Sequence, residues 1–521
     1  MSGKQDKTGK DQASGQGDTQ TKGRRSGSKT RDQGIDSKFV MECLWAESMG
    51  DGLLYAALHK GRYVYNKAAG EWMYWDGHCL RRDVMDLALA DAESVALRYA
   101  QELPRIAEQI SKAAGSGNKD GVKMFELVRD ALKARIKKLR NKTGRQACLE
   151  FAHTAPKKQY LAIEGTELDQ NPWLFACANG VLDLRTGELR KGKMSDMISK
   201  KSPVEWKGID EPCPIWELAL WEMLENDSKI LFLQRWAGYC LCGDVTEQRF
   251  VSLSGDGRNG KGIYSETLLR VLGEYGGPIQ AEMLLDQGRG KSSSGPTPDI
   301  MSLYGRRLAL ASESDEARRF SPSRIKWITG NDTLVGRYPH DKMETQFHPS
   351  HKLMLMTNND PHAPSDDFAF WERILKVDFP FMFVERPSKA NHKPRDYDLK
   401  RKLQDELPGI LAWCVRGFLD WQVGRLDPPI VIREATEEYQ RGEDVVQDWV
   451  DARCYVEQDR ERIYNVSTSG SDLYQNFAEW YKDNVGHRVP SGQWFGRRMS
   501  KKFPKEKKGI MSYFGIGLLS E

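Results

Sequence analysis

The chain has 521 residues, 29% of them charged, and a formal net charge of +4, and its length is typical of about two to four domains. It contains no apolar run near the ~20 residues of a membrane span and no apolar N-terminal stretch of the kind found in signal peptides. The nine cysteines are scattered, and the pair Cys240 and Cys242 lacks the further ligands of a zinc site. These features argue against a membrane protein and a disulfide framework, and they predict a cytoplasmic protein with buried or free thiols.

The first 35 residues are rich in Gly, Ser, Gln and Lys and contain no aromatic residue. Their eight Lys and Arg and four Asp account for the whole net charge of +4. Such a segment buries too little apolar surface to fold, so a disordered basic tail is predicted over residues 1–35. The remaining chain is neutral overall, and contact with nucleic acid must then come from local patches.

A mixed, mostly helical N-terminal domain is predicted over residues 36–205. Residues 62–65 and 71–75 have the aromatic-rich pattern of a β-hairpin. Residues 81–113 and 120–141 have helical periodicity, and residues 179–187 indicate a strand with a tight turn. Downstream, two helices are predicted within 213–242, a flexible loop over 286–299 and a helical region over 395–425.

The most informative segment is the glycine-rich run 255–262, which lies between the apolar stretch 250–253 and an amphipathic run that begins at Ile263. A strand, a glycine loop with a lysine and then a helix form the usual cradle for nucleotide phosphates. The loop N–H groups point inward, the helix adds the positive end of its dipole, and the lysine reaches the β- and γ-phosphates. The chain is therefore predicted to bind ATP with Mg²⁺ through Gly255, Gly257, Asn259, Gly260, Lys261, Gly262 and Ile263.

Such a loop needs a carboxylate at the end of a neighbouring strand to hold Mg²⁺ and to orient water. The small apolar strand 307–313 ends in Glu313, and Glu316 follows closely, so either acid could be the catalytic base. A second strand, 352–357, ends in Asn358, which is the candidate to hold the attacking water beside the γ-phosphate. Arg373 precedes another apolar strand and is the candidate to reach the γ-phosphate of a neighbouring subunit.

Residues 335–342 indicate a hairpin tip with exposed basic and aromatic groups. Cations with a stacking ring suit a nucleic-acid strand, although an ordinary polar hairpin tip has the same composition. The residues concerned are Arg337, Tyr338, His340 and Lys342.

In their shared order and spacing these motifs resemble the superfamily-3 helicase of phage and plasmid primase-helicases, a group related to the poxvirus primase-helicase. The resemblance runs from about residue 40 to 500 and includes 179–187, 234–239, 244–248, 259–261, 311–313, 329–332, 357–358 and 406–411. It implies an α/β P-loop ATPase of the AAA+-like type with a parallel sheet over 206–385, a helical subdomain over 386–442, and a C-terminal winged-helix module over 443–521.

The resemblance also implies a function. The chain is expected to be an ATP-driven DNA helicase that assembles as a ring, usually a homo-hexamer, and moves 3′ to 5′ along single-stranded DNA in its pore, in replication of a phage or mobile element within a bacterial cytoplasm. Lys261 would hold phosphates, Glu313 would serve Mg²⁺ and water, Asn358 would sense the γ-phosphate, and Arg373 would act from the next subunit. In the winged-helix module, residues 497–508 carry seven basic side chains and one acid, and these basic groups, foremost Arg497, Arg498, Lys501 and Lys502, would suit DNA phosphates. A solvated basic helix is the alternative.

Three departures from the family pattern stand out. Gly262 replaces the Ser or Thr whose hydroxyl usually binds Mg²⁺, which predicts weaker metal binding that a Gly262→Ser change would alter. Glu313 has no second acid directly after it. Residues 1–35 leave no room for a primase catalytic domain, so no primase activity is predicted and a separate primase is a candidate partner. Two other functions stay open: a replication initiator or DNA-loading ATPase that uses ATP as an assembly switch, and a protein-remodelling ATPase ring.

Overall fold

The computed structural model describes residues 34–154, 161–287, 296–313, 318–337, 339, 344–459, 461–487 and 489–519, apart from the side chains of Glu313 and Lys508. It divides into two compact units. The first comprises Met1–Lys60 and Leu87–Leu161, and the second comprises Gly61–Asp86 and Ala162–Glu521. The predicted tail and most of the predicted loop at 286–299 lie outside the described residues.

The described part of the first unit is helical. Its helices are α1 Ser37–Trp45, α2 Glu47–Leu58, α3 Leu87–Ala90, α4 Glu93–Ala100, α5 Leu103–Gly115, α6 Lys119–Leu139 and α7 Lys142–Ala152. Asparagines start the last two, because Asn118 and Asn141 accept hydrogen bonds from the N–H groups of the first turns. Glycine sets the approach of α2 to α7: a Cβ on Gly52 would lie 2.4 Å from Cβ of Phe151.

Asp51 is the buried acid of this helical unit. It is 1% exposed, accepts a hydrogen bond from Tyr99 at 3.1 Å, and pairs with Arg135 at 3.4 Å. Burial raises the pKa of Asp51 to about 6, against the lowering effect of Arg135. Contacts within the helical unit therefore stabilise the buried carboxylate of Asp51.

The second unit begins with small sheets. Their strands are β1 Tyr63–Asn66, β2 Glu71–Trp75, β3 Leu80–Arg82, β4 Ala162–Ile163, β5 Leu174–Cys177, β6 Gly180–Asp183 and β7 Glu188–Arg190. The first four pair in the order β3-β2-β1-β4, and the last three form an antiparallel sheet in chain order. The predicted hairpin is confirmed, with Tyr63 opposite Tyr74 and Asn66 opposite Glu71.

Two expectations about the N-terminal half need correction. Residues 36–205 are not one unit, because β1 pairs with β4 across the helical insertion and so joins residues 61–86 to the later chain. The helix expected over 81–113 is three helices, α3 to α5, and Arg81 and Arg82 lie in β3. Pairing with Trp75 and its neighbours fixes these residues as a strand, which a periodicity argument over one segment does not see.

Two helices, α8 Pro214–Leu224 and α9 Asp227–Tyr239, precede the central sheet as predicted. Glu406, which is remote in sequence, caps the N-terminus of α8: its carboxylate accepts hydrogen bonds from the N–H groups of Ile215 and Trp216 at 3.0 and 2.9 Å. Trp216 in turn stacks on Tyr264, with ring centroids 5.8 Å apart. The helix therefore has a fixed position beside the glycine loop.

The central sheet has five parallel strands. The elements from here to the end of the sheet region are β8 Phe250–Ser254, α10 Lys261–Leu272, β9 Gly276–Ile279, α11 Pro298–Met301, β10 Leu308–Glu313, α12 Pro322–Thr329, β11 Leu334–Gly336, β12 Thr345–Phe347, β13 Lys352–Thr357, α13 Phe368–Trp371, β14 Ile374–Asp378, β15 Met382–Val384 and β16 His392–Pro394. The sheet order is β14-β8-β13-β10-β9, with every pairing parallel. Because both faces of a parallel sheet are covered, its strands have nearly continuous apolar sequences, as in the buried strand Phe250–Ser254.

The remaining elements are mostly helical. They are α14 Leu399–Asp405, α15 Leu407–Gly424, α16 Ile430–Gly442, α17 Val445–Arg453, β17 Cys454–Val456, β18 Ser467–Ser469, α18 Gly470–Asn484, α19 Gly492–Lys502, β19 Lys505–Lys508, β20 Ile510–Phe514 and β21 Ile516–Leu518. Helix α15 packs closely on α9, where a Cβ on Gly417 would lie 2.1 Å from the Gln234 carbonyl oxygen. The predicted three helices and terminal strands of the C-terminal region are present, with their own apolar core around Trp449 and Phe477.

Two buried cations anchor the amino end of the central sheet. Lys352 begins β13; its ammonium donates to the carbonyls of Cys242 and Asp244, the latter at 3.0 Å, and lies 4.5 Å from the ring centre of Tyr239. Arg307, just before β10, donates to backbone carbonyls and stacks on an aromatic ring in the same way. Burial lowers the pKa of Lys352.

All nine cysteines are buried and unpaired. Of the helices that the structure describes, none is long and apolar enough to cross a membrane.

Candidate nucleotide site

The glycine-rich loop joins the end of β8 to the start of α10, as the sequence predicts. Gly255 and Gly260 have φ of +138° and +95°, a region that side chains disfavour. A Cβ on Gly255 would lie 2.6 Å from the Phe379 carbonyl oxygen, and one on Gly260 would lie 2.5 Å from the Met223 sulfur. Both glycines are therefore required for the loop to pack here, whereas a Cβ on Gly257 would meet nothing within 4 Å.

Lys261 is the first residue of α10 and is 6% exposed. Its ammonium donates to the Gly255 carbonyl and, at 3.3 Å, to Oδ1 of Asn358. Burial lowers the pKa of Lys261 to about 8, partly offset by the carboxylates of Asp256 and Asp360. The lysine thus bridges the loop and the end of β13, and a phosphate oxygen is the kind of anion that would favour its charged form.

The predicted acid lies at the same edge of the sheet. Strands β10 and β13 run side by side with Glu313 opposite Thr357, so Glu313 ends its strand next to Asn358. The backbone register therefore brings Lys261, Asn358 and Glu313 to one edge. The Glu313 side chain and the whole of Glu316 lie outside what the structure describes, and the choice between them as base stays a prediction.

A cleft of about 560 Å³ opens at this edge. Its lining comprises Gly257, Arg258, Asn259, Gly260, Lys261, Gly262, Ile263, Glu266, Ser312, Met356, Thr357, Asn358 and Lys400. Six of the seven predicted nucleotide-binding residues are among them, and the seventh, Gly255, supplies the carbonyl that Lys261 contacts. Glu266 and Lys400 were not predicted, although Glu266 follows Gly262 at the spacing of one helical turn.

A second cavity, about 180 Å³, adjoins the first and shares Arg258, Gly260, Ile263 and Lys400 with it. Apolar groups from α8, α10 and the segment after the sheet form much of its wall, among them Met223 and Phe383. Polar groups at the rim include Glu222, Asp396 and Arg395. An apolar slot with a few polar groups beside a phosphate cleft has the composition of a site for a heterocyclic base. Sequence reasoning missed it because its walls come from distant segments.

The loop 358–367, which follows Asn358, is held at several points. Asp360 accepts from the Ser254 hydroxyl at 2.8 Å and pairs with Lys376 at 2.9 Å. Farther along, Asp366 pairs with Arg498 of α19 at 2.6 Å. One loop therefore contacts both the strand that precedes the glycine loop and the basic C-terminal helix.

Arg373 lies at the amino ends of the sheet strands, opposite the carboxyl ends where the glycine loop lies. Its carbonyl accepts from the N–H of Phe250, at the start of β8, and its guanidinium donates to the Ala369 carbonyl at 2.6 Å. Strand β8 rises about 3.3 Å per residue, which separates Arg373 from the glycine loop of its own chain by the length of the strand. Its predicted action on a neighbouring subunit is compatible with this position and stays a prediction.

The predicted DNA-binding residues fall into two groups. In the hairpin, the backbone of Arg337 exchanges hydrogen bonds with Thr297, and Tyr338, His340 and Lys342 lie outside the described residues. Strands β11 and β12 confirm the hairpin itself, with Gly336 opposite Thr345.

In the C-terminal region the basic residues of α19 differ in their surroundings. Arg498 is only 12% exposed and pairs with Asp366, which Lys501 also contacts at 3.3 Å. Lys502 pairs with Asp444 at 2.7 Å, whereas Arg497 is exposed. Three of the four predicted phosphate ligands are therefore engaged with acids of the same chain, which the spacing of basic residues alone could not reveal.

Comparison with known proteins gives matches over most of the chain. Residues 52–225 match the family described as D5 N terminal like. A protein of Acanthamoeba polyphaga mimivirus named as a putative helicase is 28% identical over 388 residues, which cover 72% of this chain and 39% of that protein. A putative helicase of Frog virus 3 is 26% identical, covering 63% of this chain and 41% of its own length.

A putative primase of African swine fever virus is 22% identical and covers 61% of this chain and 34% of its own length. The chain thus spans about a third to two fifths of these curated relatives. Among solved structures, the apo structure of the NrS-1 C terminal region aligns with 71% of this chain and 89% of its own, at 13% identity and a TM-score of 0.45.

Fold and site together define an α/β protein with a parallel sheet, a glycine-rich loop at its carboxyl edge and a helical unit. The comparisons narrow this description: residues 52–225 match the D5 N terminal like family, and the chain is similar to viral proteins named as putative helicases and a putative primase.

Proposed function

We propose that the chain is an ATP-dependent DNA helicase of superfamily 3 that forms a homo-hexameric ring and moves 3′ to 5′ on single-stranded DNA. It would serve replication of a phage or other mobile element. The observation that carries the proposal is the contact between Lys261 and Asn358 in a cleft at the carboxyl edge of the parallel sheet. A lysine on the glycine loop and an amide at the next strand end are the groups that hold a γ-phosphate and its attacking water.

Chemistry at the site follows from these groups. The loop N–H groups and the start of α10 neutralise phosphate charge, and Lys261 adds an ammonium at the β- and γ-phosphates. Asn358 positions water, and Glu313 or Glu316 accepts its proton. Bound Mg²⁺ would neutralise charge on the phosphate oxygens. The cleft offers oxygen donors that suit this ion, from Glu266 and Ser312.

The adjoining apolar cavity supports ATP as the nucleotide, because Met223, Ile263 and Phe383 provide surfaces on which a purine could pack. DNA would be held by the hairpin and by the basic helix α19. A neighbouring subunit would supply Arg373 to the site.

The test is ATP hydrolysis by the full chain, with and without single-stranded DNA, for the natural sequence, Lys261→Ala and the control Lys389→Ala, which changes an exposed lysine away from the cleft. DNA-stimulated hydrolysis that Lys261→Ala abolishes and Lys389→Ala retains is the expected result. Unwinding of forked duplexes with a 3′ or a 5′ tail then tests the direction.

Other outcomes point to the alternatives. DNA-stimulated hydrolysis without strand displacement would favour a DNA-loading ATPase. Hydrolysis that is indifferent to DNA would contradict the helicase proposal and favour a ring that acts on protein.

A further inference from the structure

Glu266 is an acid in a cleft that, on the proposed function, receives a polyanion. It lies on α10 and lines the phosphate cleft together with Lys261, Ser312 and Asn358. Its side chain is exposed, and among the residues that the structure describes no hydrogen bond or ion pair engages its carboxylate. A free carboxylate beside bound triphosphate would repel it, because like charges at close range disfavour each other. The repulsion is removed if a cation lies between them.

The second observation is the space at Gly262. The residue at this position of a phosphate loop normally gives a hydroxyl to Mg²⁺, but this chain has no side chain there, and a Cβ would meet nothing within 4 Å. Glu266 is four residues later on the same helix. Residues at i and i+4 lie on one face, and helical side chains lean toward the N-terminus. By this geometry the open space at Gly262 is within reach of a carboxylate at position 266, and both residues line the same cleft.

The chemistry of the donors agrees with this geometry. Mg²⁺ prefers carboxylate and other oxygen ligands and usually keeps several waters. One rise of a helical turn is about 5.4 Å, a gap that a glutamate side chain or a glutamate with one bound water can bridge.

We propose that Glu266 takes the place of the missing hydroxyl and holds the Mg²⁺ of bound ATP, directly or through a water. This assignment rests on the proposed function, and it refines the expectation drawn from Gly262 alone, that metal binding is simply weak. Loss of one ligand is compensated one helical turn later by a ligand that carries a full negative charge.

The test measures nucleotide binding rather than turnover. A fluorescent mant-ATP is titrated into the full chain at fixed ionic strength, once with EDTA and once over a series of Mg²⁺ concentrations. The variants are Glu266→Gln, Gly262→Ser, the double change, and the control Glu282→Gln. Glu282 lines a neighbouring cavity with Glu266 but not the phosphate cleft, so its change removes a nearby charge without touching the proposed ligand.

The effect of Glu266→Gln on mant-ATP binding is expected to reverse between the metal-free and the Mg²⁺-containing titrations. Without metal, Glu266→Gln binds mant-ATP more tightly than the natural chain, because the repulsion is gone. With metal it needs about tenfold more Mg²⁺ for half-maximal binding, the usual scale for loss of a group that supports a metal. In the double variant with Gly262→Ser, the Mg²⁺ concentration for half-maximal binding returns toward that of the natural chain, because a hydroxyl now fills the open space. The control Glu282→Gln behaves as the natural chain does. Mn²⁺ with the analogue AMP-PNP, followed by electron paramagnetic resonance, gives a second measure of metal affinity.

The assignment is overturned if Glu266→Gln leaves the Mg²⁺ requirement unchanged, or if it weakens binding equally with and without metal, as a structural residue would. These outcomes differ from failure of the proposed function. If the natural chain binds no mant-ATP under any condition, both the nucleotide site and the role of Glu266 are wrong.

Discussion

Gly260 gives the sharpest test of the glycine loop. Its φ of +95° and the 2.5 Å approach of the Met223 sulfur to a built Cβ both oppose a side chain. A left-handed conformation costs a non-glycine residue about 1–2 kcal/mol, and overpacking adds about 1–3 kcal/mol. Gly260→Ala should therefore disfavour the phosphate-binding loop by about 2–5 kcal/mol. At tenfold in affinity per 1.4 kcal/mol, even the lower value should weaken the proposed ATP binding roughly 30-fold.

The matched control is Gly442→Ala. It changes the same residue type at the end of α16, outside the lining of the cleft, and a Cβ there meets nothing within 4 Å, so ATP affinity should stay within about twofold, on the scale of ±0.5 kcal/mol for unstrained substitutions. A third variant, Met223→Ala with Gly260→Ala, removes the steric part and leaves the backbone part, and it should recover some of the lost affinity. Calorimetric titration of ATP and thermal melting of each full-length variant separate loop effects from global unfolding.

The reasoning is refuted if Gly260→Ala binds ATP as the natural chain does. It is also refuted if both glycine variants lose affinity equally, because the contact with Met223 and the positive φ would then not decide the effect.

Three further predictions concern charge. Burial lowers the pKa of Lys261 to about 8 in the free chain, and a bound phosphate should raise it because phosphate favours the ammonium form. The affinity for ATP should therefore be constant below pH 8 and fall by up to tenfold per pH unit above it. Lys261→Arg should remove this pH dependence in titrations at constant ionic strength. Lys352→Met leaves buried carbonyls without a donor and should destabilise the chain by about 2–4 kcal/mol, seen as a lower denaturation midpoint. On the proposed DNA binding, Asp366→Ala frees Arg498 and should tighten binding of a DNA duplex, measured by fluorescence anisotropy, roughly fivefold, the equivalent of about 1 kcal/mol for a partly buried pair. The control Asp472→Ala changes an exposed acid on α18 and should have no effect. A tighter complex in both variants would mean that only net charge matters.

The local parts of the site could be predicted from the sequence. The loop around Lys261 and the strand that ends at Asn358 are each encoded within a few consecutive residues, by glycine spacing and by an apolar run followed by an amide. Helix α8 and the strands of the hairpin were predicted for the same reason. Such features depend on neighbours in the chain, and periodicity or turn chemistry reports them directly.

Features that depend on distant partners were missed. The pairing of Asn66 with Ile163 across the helical insertion decides the unit boundary, yet neither strand carries a signal for it. The cavity beside the loop needs Met223 and Phe383, which are far apart in sequence. Glu266 is different: its spacing from Gly262 was readable, but only the cleft shows that the helix face between them is open.

The loop 358–367 has a consequence for energetics. It begins at the amide beside Lys261 and, eight residues later, holds Arg498 through Asp366. A phosphate group that binds Arg498 must compete with that carboxylate, and a nucleotide that repositions Asn358 moves the same short segment. If the chain binds both ligands as proposed, linkage requires the effect to be mutual: by whatever factor nucleotide alters the affinity for DNA, DNA alters the affinity for nucleotide. On the proposed function, this short stretch of backbone therefore sets the size of the coupling free energy between the nucleotide site and the DNA site.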